Sequence, residues 1–263
     1  MRGKFLREKF ARGDYVYGTH TIGLVSPPIP EWMKKSGMDF AFICNEHIPL
    51  DRSEISNMCH LYAAHGISPM VRIPYPDARL ATIAVEGGAE GIVIPYVETV
   101  EEVRQVSAAL RYRPIKGAYL QAFLAGEKQF SDKLTAYMEQ HNENLYLVIG
   151  VESIPAIENL DALLSVDGVS AVFLGPHDIS CSMGIPLEYD NPAFIDTLVN
   201  VIRRCREKGV AVGAHIDPTW PHYKPCLEAG MNFILAASDI TVAIPALSEK
   251  FEYVRENYEK KQD

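Results

Sequence analysis

The sequence predicts a (β/α)8 TIM barrel, and three observations carry that prediction. A short apolar, β-branched run, then a turn, then an amphipathic helix recurs eight times along the chain. The eight units fill 263 residues, the size of such a barrel. Neither a GxGxxG fingerprint nor a P-loop is present, which counts against a doubly wound sheet.

The runs are Val16–Thr21, Phe40–Cys44, Ser68–Ile73, Gly91–Pro95, Leu145–Val151, Ala171–Leu174, Val210–Ala214 and Phe233–Ala236. Continuous apolar runs of this length suit parallel strands buried on both faces. Helix signals fall between them. Asp51 with Glu54, and Thr99 with Glu102, have capping-box spacing, and Asp77 is a candidate cap before Leu80 and Ile83. Asn191-Pro192 opens a helix that Gly209 closes, with proline early and glycine late. Residues Arg113–Phe130 read as the longest irregular stretch, ahead of a polar helix over Ser131–Asn142. The last helix, from Ile240 to Tyr258, carries Val242, Leu247, Phe251 and Val254 and leads into the polar tail Glu259–Asp263. It packs either on its own barrel or on a neighbouring subunit. No linker divides the chain, so a single barrel domain over residues 1–263 is expected.

Composition narrows the function. The chain is 48% hydrophobic and 22% charged, a globular balance. A net charge of -9 leaves no positive field for nucleic acid. The five cysteines form no CxxC pair or zinc spacing and read as free thiols in a reducing compartment. Met1 to Arg12 is charged and has no apolar signal core, and no apolar run is long enough to span a bilayer. A cytoplasmic protein acting on a small molecule, with neither nucleic acid nor membrane as partner, is the expectation.

In a barrel, catalytic groups stand at the C-terminal ends of the strands. Four such ends here carry reactive residues: Asn45-Glu46-His47, Arg72, Glu152, and Gly175-Pro176-His177-Asp178. Glu152 and Asp178 would repel across one cavity unless one keeps a proton or a cation lies between them. Two carboxylates plus waters suit Mg²⁺ or Mn²⁺. The alternative is that both merely cap the helices that follow. His47 is the candidate base, because an imidazole, with an ordinary pKa of about 6.5, exchanges protons near neutral pH. Glu46 could orient it, bind the water shell of the metal, or simply face solvent. Arg72 offers planar donors to a carboxylate or an enolate, or else serves a structural ion pair with Glu46 or Glu152. At Gly175 the backbone can approach a ligand closely, and the N–H groups of His177 and Asp178 could cradle a small carboxylate. This set suits enolate chemistry on a 2-oxo acid chelated by the metal. No lysine stands on these four ends, Lys116 being the nearest, so a Schiff base is the less favoured route.

The segments Phe42-Ile43-Cys44-Asn45-Glu46-His47, Pro69-Met70-Val71-Arg72, Gly150-Val151-Glu152-Ser153 and Phe173-Leu174-Gly175-Pro176-His177-Asp178-Ile179-Ser180 resemble the HpcH/HpaI family of class II pyruvate aldolases. The resemblance runs in order from about Gly18 to the last helix. It implies a (β/α)8 barrel whose C-terminal helix is exchanged between subunits of a homo-oligomer, a trimer or hexamer. It implies Mg²⁺, Mn²⁺ or Co²⁺ on Glu152 and Asp178, His47 as base, and Arg72 beside the enolate. The implied reaction cleaves 4-hydroxy-2-oxo acids to pyruvate and an aldehyde, and many members also decarboxylate oxaloacetate. Four departures stand out. Cys44 replaces a usual Asp that supports the base, a role for which Glu86 is a second candidate. Gly150 replaces a common Gln, which would widen the pocket. His177 replaces a common Ala, and Lys116-Gly117 replaces an Arg-Gly pattern. Two other readings remain: a CoA-thioester lyase of the citrate lyase β type, or a metal-binding barrel without catalysis.

Overall fold

The computed structural model describes residues 2–23 and 26–259, so Met1 and residues 260–263 of the expected polar tail lie outside the described residues. Eight parallel strands close into one barrel in sequence order, with β1 pairing both β2 and β8. They are β1 (Val16–Thr21), β2 (Phe40–Cys44), β3 (Ser68–Arg72), β4 (Gly91–Ile94), β5 (Tyr146–Val151), β6 (Val169–Leu174), β7 (Ala211–His215) and β8 (Phe233–Ser238). All eight expected strands are present, with ends differing by at most two residues.

The helices are α1 (Arg2–Arg12), α2 (Ile29–Lys35), α3 (Arg52–Ala64), α4 (Ala78–Glu86), α5 (Val100–Arg111), α6 (Gly117–Leu124), α7 (Asp132–His141), α8 (Ile154–Glu158), α9 (Leu160–Leu164), α10 (Pro176–Ser182), α11 (Pro192–Glu207), α12 (Tyr223–Glu228) and α13 (Asp239–Tyr258). The expected caps form. The Asp51 side chain accepts from the N–H groups of Ser53 and Glu54, and Glu54 returns a bond to the Asp51 N–H. Thr99 and Glu102 do the same for α5. Gly209 closes α11 at φ 73°, a left-handed conformation that glycine adopts without a Cβ penalty.

Two cores result from the two-residue period of the strands. One row of each strand points outward and packs under the helices, as Ile43, Val71, Ile92, Ile149 and Val172 do. The other row fills the barrel with Val16, Phe40, Phe42, Met70, Val93, Val148, Phe173 and Phe233. Helix α1, whose formation the charged N-terminus did not announce, closes the N-terminal face. Its Leu6 and Phe10 join the barrel interior, and Phe10 meets the Tyr146 and Phe233 rings edge-on at 6.0 and 5.6 Å. Arg2 Nη2 donates to Glu90 Oε1 at 2.6 Å on the same face. The opposite face, at the C-terminal strand ends, stays open for a site.

One expectation changes, and of the two placements left open for the last helix one is not adopted. The stretch Arg113–Phe130 is not irregular throughout, because α6 forms within it. No side chain caps α6, and its first residue, Gly117, sits at φ 64°. It is held instead by ring packing: Phe123 stacks on Phe130 at 3.9 Å and meets Tyr112 at 4.9 Å. The last helix does not lie on its own barrel. Of its residues only Asp239 is buried, while Ile244, Leu247, Phe251 and Val254 are more than half exposed. Its start is fixed to the barrel by a capping box between Ser238 and Thr241. The Asp239 carboxylate also accepts from the N–H groups of Ile22 and Gly23, just beyond β1. Among the described residues no helix is long and apolar enough to cross a membrane.

Candidate active site

The inward row places the site. Counting by two from the buried interior residues carries β1 from Val16 to His20, β2 from Phe40 to Cys44 and β3 from Met70 to Arg72. The same count carries β5 from Tyr146 to Gly150 and Glu152, β6 from Ala171 to Gly175, and β7 from Ala211 to His215. These residues therefore share one mouth.

Arg72 is its centre. It is 5% exposed, and its Nε lies 3.0 Å from Glu46 Oε2. Its Nε and Nη2 donate to Cys44 Sγ at 3.3 and 3.0 Å. The guanidinium also lies over the Phe42 and Phe173 rings at 5.6 and 5.8 Å. Of the two ion pairs expected for it, the one with Glu46 forms. Five donors in a rigid fork, gripped on one edge, leave the other edge to face the cavity.

His47 is exposed at the rim, with its Nε2 3.8 Å from Glu46 Oε2. Its backbone N–H donates to Cys44 Sγ at 3.4 Å. Cys44 thus supports Arg72 and the turn carrying His47, not the imidazole itself. Glu46 is the acid beside the ring. Glu86 is not part of this group. It ends α4, which runs back from the mouth toward the N-terminal face, and there it pairs with Arg113 at 2.8 Å on the outer layer.

Glu152 is 3% exposed. Its Oε1 accepts from the Tyr96 N–H at 3.0 Å, and Tyr96 holds φ 48° to present that group. Burial pushes the carboxyl up to about 7; the Tyr96 bond and the Arg72 charge oppose that, and the charges of Glu46 and Asp178 add to it. Glu152 does not cap the next helix, because Ser153 does so by accepting from the Ala156 N–H. Asp178 stands half-buried in the first turn of α10, His177 beside it is exposed, and no side chain caps that helix. Gly175 is the residue that precedes α10, and Pro176 opens it.

Both glycines make room for Glu152. A Cβ at Gly150 would collide with Glu152 Oε1, and one at Gly175 would stand 2.5 Å from Oε2. The space at Gly150 is therefore taken by the Glu152 carboxylate rather than open to ligand. Glu152 reaches its position only because both neighbours lack side chains.

The donor set fits a divalent cation. A buried carboxylate raised to about 7, with no ion pair among the described residues, feels the charge of a second carboxylate, Asp178. A cation between them would relieve both burial and repulsion. Among the described residues no group of three or more His, Cys, Asp or Glu side chains forms a closed cage. A two-carboxylate site leaves coordination positions for water or substrate.

The sequence reading missed three residues. His20 and His215 belong to the inward row, and their rings meet edge-on at 5.3 Å. Counting by two along the first run would have found His20, whereas His215 lay one residue past the expected strand end. Tyr96 follows β4, and only the three-dimensional path reveals its N–H on Glu152.

Comparison with known proteins agrees with the barrel fold. The family model described as HpcH/HpaI aldolase/citrate lyase matches residues 25–246. A 2-keto-3-deoxy-L-rhamnonate aldolase of Klebsiella pneumoniae is 33% identical over 250 residues, covering 93% of this chain and 92% of its own. The protein of that name from Salmonella dublin is 34% identical over 245 residues, covering 93% and 90%. In fold, an HpcH/HpaI aldolase of Desulfitobacterium hafniense superposes with a TM-score of 0.81 at 24% identity, covering 95% of this chain and 96% of that one.

Proposed function

From a chain that belongs to the HpcH/HpaI aldolase/citrate lyase family, and is thus a carbon–carbon lyase, we infer a metal-dependent aldolase that splits or joins 4-hydroxy-2-oxo acids, with pyruvate and an aldehyde as the two halves. The single observation that carries this reading is the buried Glu152 carboxylate, raised to about 7 and set beside Arg72 and Asp178.

Glu152 and Asp178 would hold the cation. When bound, a divalent ion such as Mg²⁺, Mn²⁺ or Co²⁺ supplies a Lewis acid that polarises the keto group of a 2-oxo acid. Arg72, fixed by Glu46 and Cys44, brings positive potential to the oxygen where charge develops, without reorganising at the moment of reaction. His47, next to Glu46, takes the proton of the C4 hydroxyl. The C3–C4 bond then breaks, its electron pair passes toward C2, and the aldehyde departs. Protonation at C3 completes pyruvate. Gly175 and the N–H groups of His177 and Asp178 border the position for the substrate carboxylate.

The same reading extends to assembly and location. The apolar stripe on α13 supports exchange of that helix between subunits of a trimer or hexamer. Five free cysteines support a reducing, cytoplasmic setting. The whole chain then acts as one barrel domain.

The test is direct. Purified protein stripped with EDTA is assayed for pyruvate release from 2-keto-3-deoxy-L-rhamnonate, with and without added Mn²⁺. Proton NMR follows exchange of the pyruvate methyl group with deuterated water in parallel. Metal-dependent exchange and release are expected. A protein that does neither is not this enzyme.

A further inference from the structure

A second cavity lies at the other end of the barrel from the mouth. It opens on the N-terminal face, between α1, the ends of α5 and α7, and the first residues of β5 and β6. Its volume is about 430 Å³, within the range of small-molecule sites. None of the chemistry described above reaches it.

Three polar side chains line it without partners. Asn142, just past the end of α7, is 6% exposed, and its enclosed Oδ1 accepts no hydrogen bond among the described residues. Its amide orientation is fixed, because Nδ2 donates to the Arg111 and Arg113 carbonyls at 3.1 and 2.9 Å. A buried acceptor left in this way is costly unless something donates to it. Arg7, half-buried on α1, makes one long bond to the Leu145 carbonyl, at 3.4 Å, and no ion pair among the described residues. The Glu139 carboxylate, one turn before Asn142, has neither an ion pair nor a hydrogen bond among the described residues. Arg7 and Glu139 thus stand on different walls of one cavity, opposite in charge and unpaired with each other. Arg111, the other cation here, is already answered by Asp167 at 3.3 Å.

The strand wall is shaped as well. Leu147 pairs with Val169 and Val148 with Ala171, so Ser170 is an extra residue in β6. Such a bulge re-aims a side chain. Ser170 lines the cavity, its hydroxyl making only a 3.4 Å bond to the Gly168 carbonyl. Leu110, Met138 and Leu147, all buried, supply apolar wall.

We propose that this cavity binds a free α-amino acid with an apolar side chain. Arg7 takes its carboxylate, Asn142 Oδ1 and Glu139 take its ammonium, and Leu110, Met138 and Leu147 take its side chain.

The complementarity is that of a zwitterion. An ammonium has three donors and no acceptor, and it meets an amide oxygen and a carboxylate. A guanidinium has donors only and prefers a carboxylate. A simple carboxylic acid would leave Asn142 and Glu139 unanswered, and a simple amine would leave Arg7 so. Phosphate would be repelled by Glu139. In a peptide the two charges lie at opposite ends of the chain, so the free amino acid is the better fit. A charged side chain would be stripped of water against the apolar wall. The proposal depends on neither the metal nor the aldolase reaction.

The experiment is calorimetry on the full chain after EDTA treatment. The probes are L-leucine, isocaproate, isoamylamine, L-aspartate and inorganic phosphate. L-Leucine should bind at least about tenfold more tightly than any of the others, since one charged hydrogen bond contributes about a decade of affinity. Arg7→Gln and Glu139→Gln should each weaken L-leucine by about tenfold or more, with thermal transitions unchanged. Arg7→Lys keeps the charge and should lose less. Should one variant fail to fold, the other and the probe series give the same information. No heat with L-leucine at millimolar concentration overturns the proposal. So does isocaproate or phosphate binding as tightly, which would mean a bare anion site. L-Leucine affinity unmoved by both Gln variants would put the amino acid elsewhere and overturn it too. Exchange of pyruvate methyl protons, measured separately, decides the aldolase reading whichever way the L-leucine titration falls.

Discussion

The Glu152 carboxylate occupies the volume that a side chain on Gly175 would take, with the missing Cβ position 2.5 Å from its Oε2. Gly150 leaves room for the other oxygen in the same way. Gly175→Ala should therefore displace Glu152 while leaving the barrel folded. A loss of Mn²⁺ affinity of at least about tenfold is expected by calorimetry, with an unchanged far-UV spectrum, since about 1.4 kcal/mol separates each decade. Unaltered affinity would show that the carboxylate does not need this space.

Glu152 also makes stability depend on pH. Its folded pKa of about 7 lies above the ordinary 4.5, so the folded state holds its proton longer than the unfolded chain. The stability this contributes is complete below pH 4.5 and is lost as pH rises through 7. The loss amounts to about 3 kcal/mol, at about 1.4 kcal/mol per unit. Metal-free Glu152→Gln should melt several degrees above the metal-free wild type at pH 8 and show no advantage at pH 4.5. Equal melting curves at pH 8 would contradict the burial penalty.

Binding of a cation requires that proton to leave. Mn²⁺ affinity should fall about tenfold per unit as pH drops below 7, the point set by Glu152. Titrations at pH 6 and 8 would check the slope. A flat profile would mean that Glu152 is not a ligand.

Arg72 and Cys44 form a mechanical pair, with the thiol accepting two guanidinium N–H bonds. Arg72→Ala should lower kcat by about 10² to 10³, the size of a lost charge-stabilising donor, and move Mn²⁺ affinity far less. Cys44→Ala frees the guanidinium without removing it, so a smaller fall in kcat, about tenfold, is expected. Steady-state kinetics on both variants would separate the two. A Cys44→Ala enzyme as slow as Arg72→Ala would assign the thiol a larger role than orientation.

On α13, Ile244, Leu247, Phe251, Val254 and Tyr258 recur at helical spacing, and all are more than half exposed. Such a stripe calls for a covering surface. Leu247→Asp with Phe251→Asp should reduce the molar mass measured by light scattering toward the 29.3 kDa of one chain. The barrel of each subunit should keep its thermal transition. An unchanged mass would leave the stripe without its assigned partner.

The fold was legible because its signals are local. Strand runs, capping pairs and the closing Gly209 each act within a few residues, and the alternation of runs and helices allows few topologies. The candidate ligands and base were legible because barrel strands all deliver their last residues to one face. Sequence also determined the free glycines at 150 and 175, though not their use. Tertiary structure alone decided which of these groups touch. Strand register brought Cys44 level with Arg72, so the thiol meets the guanidinium and leaves the imidazole to Glu46. The direction of α4 carried Glu86 away to Arg113. Barrel closure set β1 and β7 on either side of β8 and brought His20 against His215, residues 195 positions apart in a chain of 263. Contacts of that kind depend on how strands stagger around a closed cylinder, and no short stretch of sequence encodes that stagger.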